Sequence, residues 1–144
     1  MKIEVKLDET CEETSVTIVA KKMTDEVNEL VSRLSNHCQD LIVGFCDGIV
    51  IMIDKNIIIR IYTANQKVFI VTASNEYSAR LRLYQLEERL NGSEFVRISH
   101  SEIINLKMVR DFDLSFAGSI CVRFHNGSTT YVSRRYVSKI KTIL

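Results

Sequence analysis

The chain contains no proline and no tryptophan in 144 residues, and only five glycines. Without proline, no stiff extended linker is written into it. No apolar run approaches the roughly 18 residues that a membrane-crossing helix needs. The start, Met1 to Lys6, alternates charged and apolar residues, unlike the unbroken apolar core of a signal peptide. A cytoplasmic location follows by default. The four cysteines (Cys11, Cys38, Cys46, Cys121) are scattered, with no Cys-x-x-Cys pair. His37 precedes Cys38, but no second pair stands at metal-ligand spacing. The thiols therefore read as buried or incidental. There is no glycine-rich phosphate loop, no Gly-x-Ser-x-Gly and no His-Glu-x-x-His, and only three histidines. Glu87 and Glu88 read as solvated residues on one helix. No catalytic centre, cofactor or metal site is expected.

Net charge is +1 and says little, but its distribution is uneven. Residues 1–40 hold five Lys/Arg against nine Asp/Glu, and residues 41–96 hold six of each. Residues 97–144 hold eight basic residues against three acidic ones. A basic C-terminal part points to a polyanionic partner, although a solvated basic face is the ordinary alternative.

Two regions follow from texture. In residues 1–40, Lys2–Leu7 and Ser15–Ala20 carry strand patterns, and Thr24 caps a helix to about Asn36 with Val27, Leu30, Val31 and Leu34 on one stripe. This acidic ββα extension is small for independent folding and is expected to pack on the rest of the chain or on a second copy, as a dimerisation or accessory element. Residues 41–144 carry about nine short strands separated by turn signals, Asp47-Gly48 and Asn126-Gly127 among them. A helix over about Arg82–Leu90 presents Leu83, Leu86 and Leu90 on one face. A terminal helix capped by Ser133 turns Tyr136, Val137, Ile140 and Leu144 inward. The fold class is mainly β, α+β overall, built of antiparallel sheets with two short helices after the ββα extension.

The organising stretch is Glu94–Lys107. A strand from Phe95 leads to the polar turn Ser99-His100-Ser101, and one helical turn over Ile103, Ile104 and Leu106 returns to the core. Ser99 and Glu102 stand at capping-box spacing. Rigid support beneath a polar corner suits recognition. Two further polar tips resemble it in kind: Gln66 with Lys67, and Arg135 with Arg134. Arginine pairs with guanine, glutamine or asparagine with adenine, and lysine is drawn to phosphate. Each tip also has an ordinary reading as hairpin tip, loop or solvated helix start. The arginine pair is the sharpest, because cations at a helix N-terminus oppose the helix dipole and imply an anion nearby.

Phe95-Val-Arg-Ile-Ser-His-Ser-Glu-Ile-Ile-Asn105, followed by Ser133-Arg-Arg-Tyr-Val-Ser-Lys-Ile140, resembles the signature of LytTR-type DNA-binding domains of bacterial regulators. The stretch Ile57–Val71 and the helix Leu83–Leu90 fit the same pattern, so the resemblance covers about residues 41–144. It implies a β-rich domain that enters the grooves of double-stranded DNA through loops, as a homodimer on repeated sites, to regulate transcription. Carried over by position, Gln66, His100 and Arg135 would contact bases. Lys67, Arg97, Ser99, Ser101 and Arg134 would make backbone or supporting contacts, and Asn105 a structural hydrogen bond. Glu102 departs from the pattern. A phosphorylated receiver domain of about 120 residues does not fit in the forty residues before the domain, so phosphorelay control through this chain is not expected. A non-catalytic protein-interaction module is the competing reading, and a redox or ligand sensor using a cysteine or an interface pocket is a third.

Overall fold

The computed structural model describes residues 1–144 except Glu13, Gln39 and Ser93, and except the side chains of residues 35–38, which include His37 and Cys38. The chain divides into two units, Met1–Ser35 and Asn36–Leu144.

In the first unit the expected helix forms as α1 (Asp25–Cys38), which continues past the unit boundary. The Thr24 carbonyl accepts from Asn28 N at 2.9 Å, and its hydroxyl from Val27 N at 3.3 Å. Asp25 and Glu26 in the first turn complement the helix dipole. The two expected strands do not form: Lys2–Leu7 and Ser15–Ala20 are irregular. A strand exists by pairing, and a two-stranded piece with no apolar partner is marginal in water. Ile3, Val5 and Leu7, the apolar face of the first pattern, are accordingly exposed, as are Val16 and Val19.

The second unit is strand-rich, as the sequence indicates. Strands β1 (Leu41–Cys46), β2 (Ile49–Asp54), β3 (Ile58–Ala64), β4 (Lys67–Thr72) and β5 (Glu76–Ala79) precede helix α2 (Leu83–Arg89). Then come β6 (Phe95–Ser99), β7 (Glu102–Asn105), β8 (Val109–Asp113), β9 (Ile120–Phe124), β10 (Thr129–Val132) and helix α3 (Arg134–Ile143). The first seven strands form one antiparallel sheet in the order β2-β1-β5-β4-β3-β7-β6, and the last three form a second, β10-β9-β8. Asp47 and Gly48, both at positive φ, make the tight β1–β2 turn that an Asp-Gly pair favours. Gly44 in β1 is required by close packing, since a Cβ there would lie 3.0 Å from that of Tyr77.

Two apolar cores lie on opposite faces of the large sheet. One gathers Ile42, Ile53, Ile61, Ile70 and Ile103 with Leu83 and Leu86 of α2 and Leu90 at its C-cap. The other joins Ile59, Val96, Ile98 and Ile104 to Ile120, Val122 and Phe124 of the small sheet and to Ile140 of α3. Strand β7 is therefore buried on both faces, with Ile103 facing one core and Ile104 the other. Burying each such side chain contributes roughly 1.5–3 kcal/mol. A slip of one residue would exchange the faces and drive Glu102 into the α2 core, so the register is strongly set.

Here the expectation of a helical turn after His100 is corrected. Glu102–Asn105 is a strand, and only Leu106–Met108 winds, as a 3-10 turn. Nor does Glu102 close a capping box. Its carboxylate is turned inward, accepting from Arg60 of β3 and from the Thr130 hydroxyl of β10, the latter at 2.5 Å. A buried carboxylate needs such partners, and these two come from different sheets. Asn105 fulfils its expected structural role: it is 1% exposed, donates to Ile58 O at 2.8 Å and accepts from Lys107 N at 3.1 Å. Leu144 departs from expectation and is exposed, because the inward stripe of α3 ends at Ile140.

Glu102→Ala would leave Arg60 and Thr130 without their acceptor. Breaking a buried pair costs about 3–5 kcal/mol. Because the Arg60 side chain keeps 29% exposure, a loss of about 2–3 kcal/mol is expected. Urea denaturation should show it as a lower midpoint at unchanged slope.

Candidate nucleic-acid interface

Three polar tips converge on one end of the second unit, each positioned by a different pair of elements. The first is the β3–β4 turn. Asn65 (φ 52°) and Gln66 (φ 64°) both occupy the left-handed region, the geometry of a two-residue hairpin turn that suits the strand twist. Glycine is the usual second residue of such a turn. A glutamine held there costs on the order of 1 kcal/mol of backbone strain, which singles out its side chain. Gln66 and Lys67 are both exposed.

The second tip is the β6–β7 turn. The Ser101 amide donates to Ser99 Oγ at 3.1 Å, and the two hydroxyls lie 3.3 Å apart. His100 is exposed at the corner. Arg97 reaches into this turn from β6, donating from Nε to Ser99 O at 2.8 Å and from Nη2 to His100 O. Its Nη1 pairs with Glu87 of α2. Among the sequence-predicted contacts, Arg97 is thus the one whose charge is matched internally, and Glu87 is not simply solvated.

The third tip is the start of α3. Ser133 stands at the N-cap position, but its side chain makes no capping bond. Its backbone N–H instead donates to Ile98 O at 2.9 Å, tying the helix start to β6. Arg134 and Arg135 occupy the first turn, which holds no acidic residue, and both are exposed.

Main-chain bonds bring the tips together. Arg60, Ile61 and Tyr62 pair with Ile104, Ile103 and Glu102, and Thr63 N then donates to Ser101 O at 2.8 Å. The first hairpin therefore runs directly alongside the His100 turn. The Ser133–Ile98 bond places the arginine pair on the other side of that turn. Glu102 lies immediately beneath, held by Arg60, whose guanidinium stacks 4.7 Å over the Tyr62 ring. Tyr62 in turn stacks on Phe69 at 5.3 Å. The Tyr62 hydroxyl donates to Glu76, which holds its proton and raises its pKa, with burial adding to the rise. Phe69 is thus a sheet-face residue and Tyr77 a core residue.

Charge is distributed unevenly over the second unit. Arg97, Lys107, Arg110 and Arg123 all pair with carboxylates. Among the described residues, Lys67, Arg134, Arg135, Lys139 and Lys141 form no ion pair. Among the same residues Arg80, Arg82 and Arg89 form none either, Arg80 lying over the Phe45 ring and Arg89 donating to Leu41 O. Lys139 and Lys141 of α3 extend the cationic surface beyond the arginine pair. The basic excess of residues 97–144 is the sequence signal that includes them, but they carry no recognition motif of their own. Among the described residues, no group of three His, Cys, Asp or Glu side chains is placed to hold a metal. No described helix is long and apolar enough to cross a membrane.

Known proteins share both pattern and fold. The model of the LytTr DNA-binding domain matches residues 49–144. Two Staphylococcus aureus proteins, from strains NCTC 8325 / PS 47 and COL, are each 30% identical to the chain over 142 residues. The match covers 98% of this chain and 96% of each relative, and both are named uncharacterized HTH-type transcriptional regulators. The described residues here form no helix-turn-helix, since strands separate α1, α2 and α3 from one another. A LytTr DNA-binding domain of a putative methyl-accepting/DNA response regulator from Bacillus cereus superposes with a TM-score of 0.69 at 15% identity. That likeness covers 72% of this chain and 95% of the other, and shows a shared fold. With a family match over residues 49–144 and a fold shared with a solved LytTr domain, the chain belongs to the LytTR family of DNA-binding domains.

Proposed function

We propose that this protein is a sequence-specific regulator of transcription that reads double-stranded DNA through the three adjoining tips. The observation that carries this reading is their convergence: Gln66, His100 and Arg135 are exposed on neighbouring segments joined by main-chain bonds. In this reading Gln66 and Arg135 address base edges, and His100 enters the groove between them. Lys67 and Arg134 meet phosphates, while Ser99 and Ser101 hold the middle turn in shape. The helix start adds free backbone N–H groups, which favour a phosphate beside the arginines. No chemistry is required, and the loops act by hydrogen bonding and charge.

Fluorescence anisotropy with the upstream region of the protein's own operon, against scrambled duplex at two salt concentrations, tests the reading. Tighter binding to the native duplex, weakening steeply with salt, is the expected outcome. Equal or absent binding would favour a protein-interaction module. Arg135→Ala should cost roughly 1–3 kcal/mol on the specific site and relax base preference, whereas Lys67→Ala should weaken all duplexes about equally. Gln66→Gly gives a sign test: the folded state gains about 0.5–1 kcal/mol from relief of the left-handed strain, while specific affinity falls. A gain in stability with undiminished affinity would remove Gln66 from the reading surface.

We assign the N-terminal unit to contact with a second copy. Its exposed Ile3, Val5, Leu7, Val16 and Val19 are an unusual apolar load for a free surface. Sedimentation equilibrium should find the full chain dimeric and a chain lacking residues 1–40 monomeric. A truncated chain that stays dimeric would place the interface elsewhere.

A further inference from the structure

Arg97 is an unusual member of the interface. Its side chain is only 11% exposed although the turn it serves is at the surface. Its Nε donates to Ser99 O at 2.8 Å, its Nη2 to His100 O at 2.5 Å and its Nη1 to Glu87 Oε2 at 2.5 Å. The two carbonyls belong to the turn that presents His100, and the carboxylate belongs to α2. A guanidinium offers a rigid fork of donors, and this one ties the backbone of a surface turn to a helix. The helix is a firm anchor: Leu86, next to Glu87, is 0% exposed in the core, and Leu83 and Leu90 are 5% and 3% exposed. The Ser101–Ser99 bond braces the turn from the other side.

We propose that Glu87 and Arg97 form a clamp that sets the geometry of the His100 turn. Glu87 is then a positioning residue for DNA recognition that lies outside all three loops, and Arg97 is a brace rather than a phosphate contact. This rests on the reading of the loops as DNA-contacting. A site held by a supporting shell loses affinity when that shell loosens, even though no ligand contact is removed. The clamp therefore predicts a sign opposite to simple electrostatics. Removing a carboxylate near DNA strengthens binding if its charge only repels phosphate, but weakens binding if it holds the turn.

The experiment uses the full chain with Glu87→Ala, Glu87→Gln, Arg97→Ala and the double variant Glu87→Ala/Arg97→Ala. The Glu87 side chain is 45% exposed, so its replacement leaves the core intact. Glu87→Ala should lower affinity for the specific duplex about tenfold. Glu87→Gln should stay within about twofold, because its amide oxygen still accepts from Arg97. Arg97→Ala should lose at least as much as Glu87→Ala, and the double variant no more than Arg97→Ala, as coupled residues do. The dependence of log affinity on log salt should keep its slope in Arg97→Ala, whereas loss of a phosphate contact would reduce it by about 0.9. In the free protein, amide exchange at Ser101 should accelerate in Glu87→Ala and Arg97→Ala but not in Glu87→Gln. Tighter binding by both Glu87 variants, a reduced salt slope for Arg97→Ala, or unchanged Ser101 exchange would overturn the clamp. Should the wild type bind no duplex, the DNA reading fails, and the exchange measurement still decides the clamp.

Discussion

The burial of the Glu102 carboxylate constrains everything built around it. It opens β7, directly after the His100 turn, and is 6% exposed. A carboxylate in that position is tolerable only with partners in place, and these are Arg60 from β3 and Thr130 from β10. One side chain thus cross-links the two sheets immediately below the three tips. It adds to the main-chain bonds, Thr63 N to Ser101 O and Ser133 N to Ile98 O, that set the β3–β4 hairpin, the β6–β7 turn and the chain leading into α3 side by side. Asn105 performs a similar task at the other end of β7, bonding the start of β3 and the following 3-10 turn.

Above this foundation the arginines play different parts. Arginines that pair with carboxylates, such as Arg60, Arg97 and Arg123, shape the fold. Those on α3, led by Arg134 and Arg135, have no such partner among the described residues and leave the positive charge available to a ligand. A basic count along the sequence cannot make this distinction, since all add equally to it. The positions of the partners can.

Much of the second unit was legible because its signals are local. Asp47-Gly48 fixes a hairpin by its own backbone preferences, and Leu83, Leu86 and Leu90 announce a helix face by spacing. Strand β7 was not legible in the same way. Buried on both faces, Glu102 to Asn105 shows no polar alternation, and a short apolar run bounded by a polar turn is as compatible with a helical turn. The partners of Glu102 lie 42 and 28 residues away in sequence, so its inward role needed the assembled sheets. The N-terminal patterns erred in the other direction. Lys2–Leu7 alternates as a strand should, but alternation supplies a face and not a neighbour to pair with. Of the candidate contacts, exposure at Gln66, His100 and Arg135 followed from turn chemistry, while the engagement of Arg97 with α2 depended on a contact between separate elements.

In the proposed function, three loops, and not a helix laid in the groove, form the reading surface. Backbone amide shifts recorded during titration of the full chain with its specific duplex test this most directly. The largest changes are expected at Asn65–Lys67, Ser99–Ser101 and Ser133–Arg135, in one concerted transition. Changes concentrated on α2 or on the β1–β2 hairpin, with those three segments unmoved, would contradict this reading.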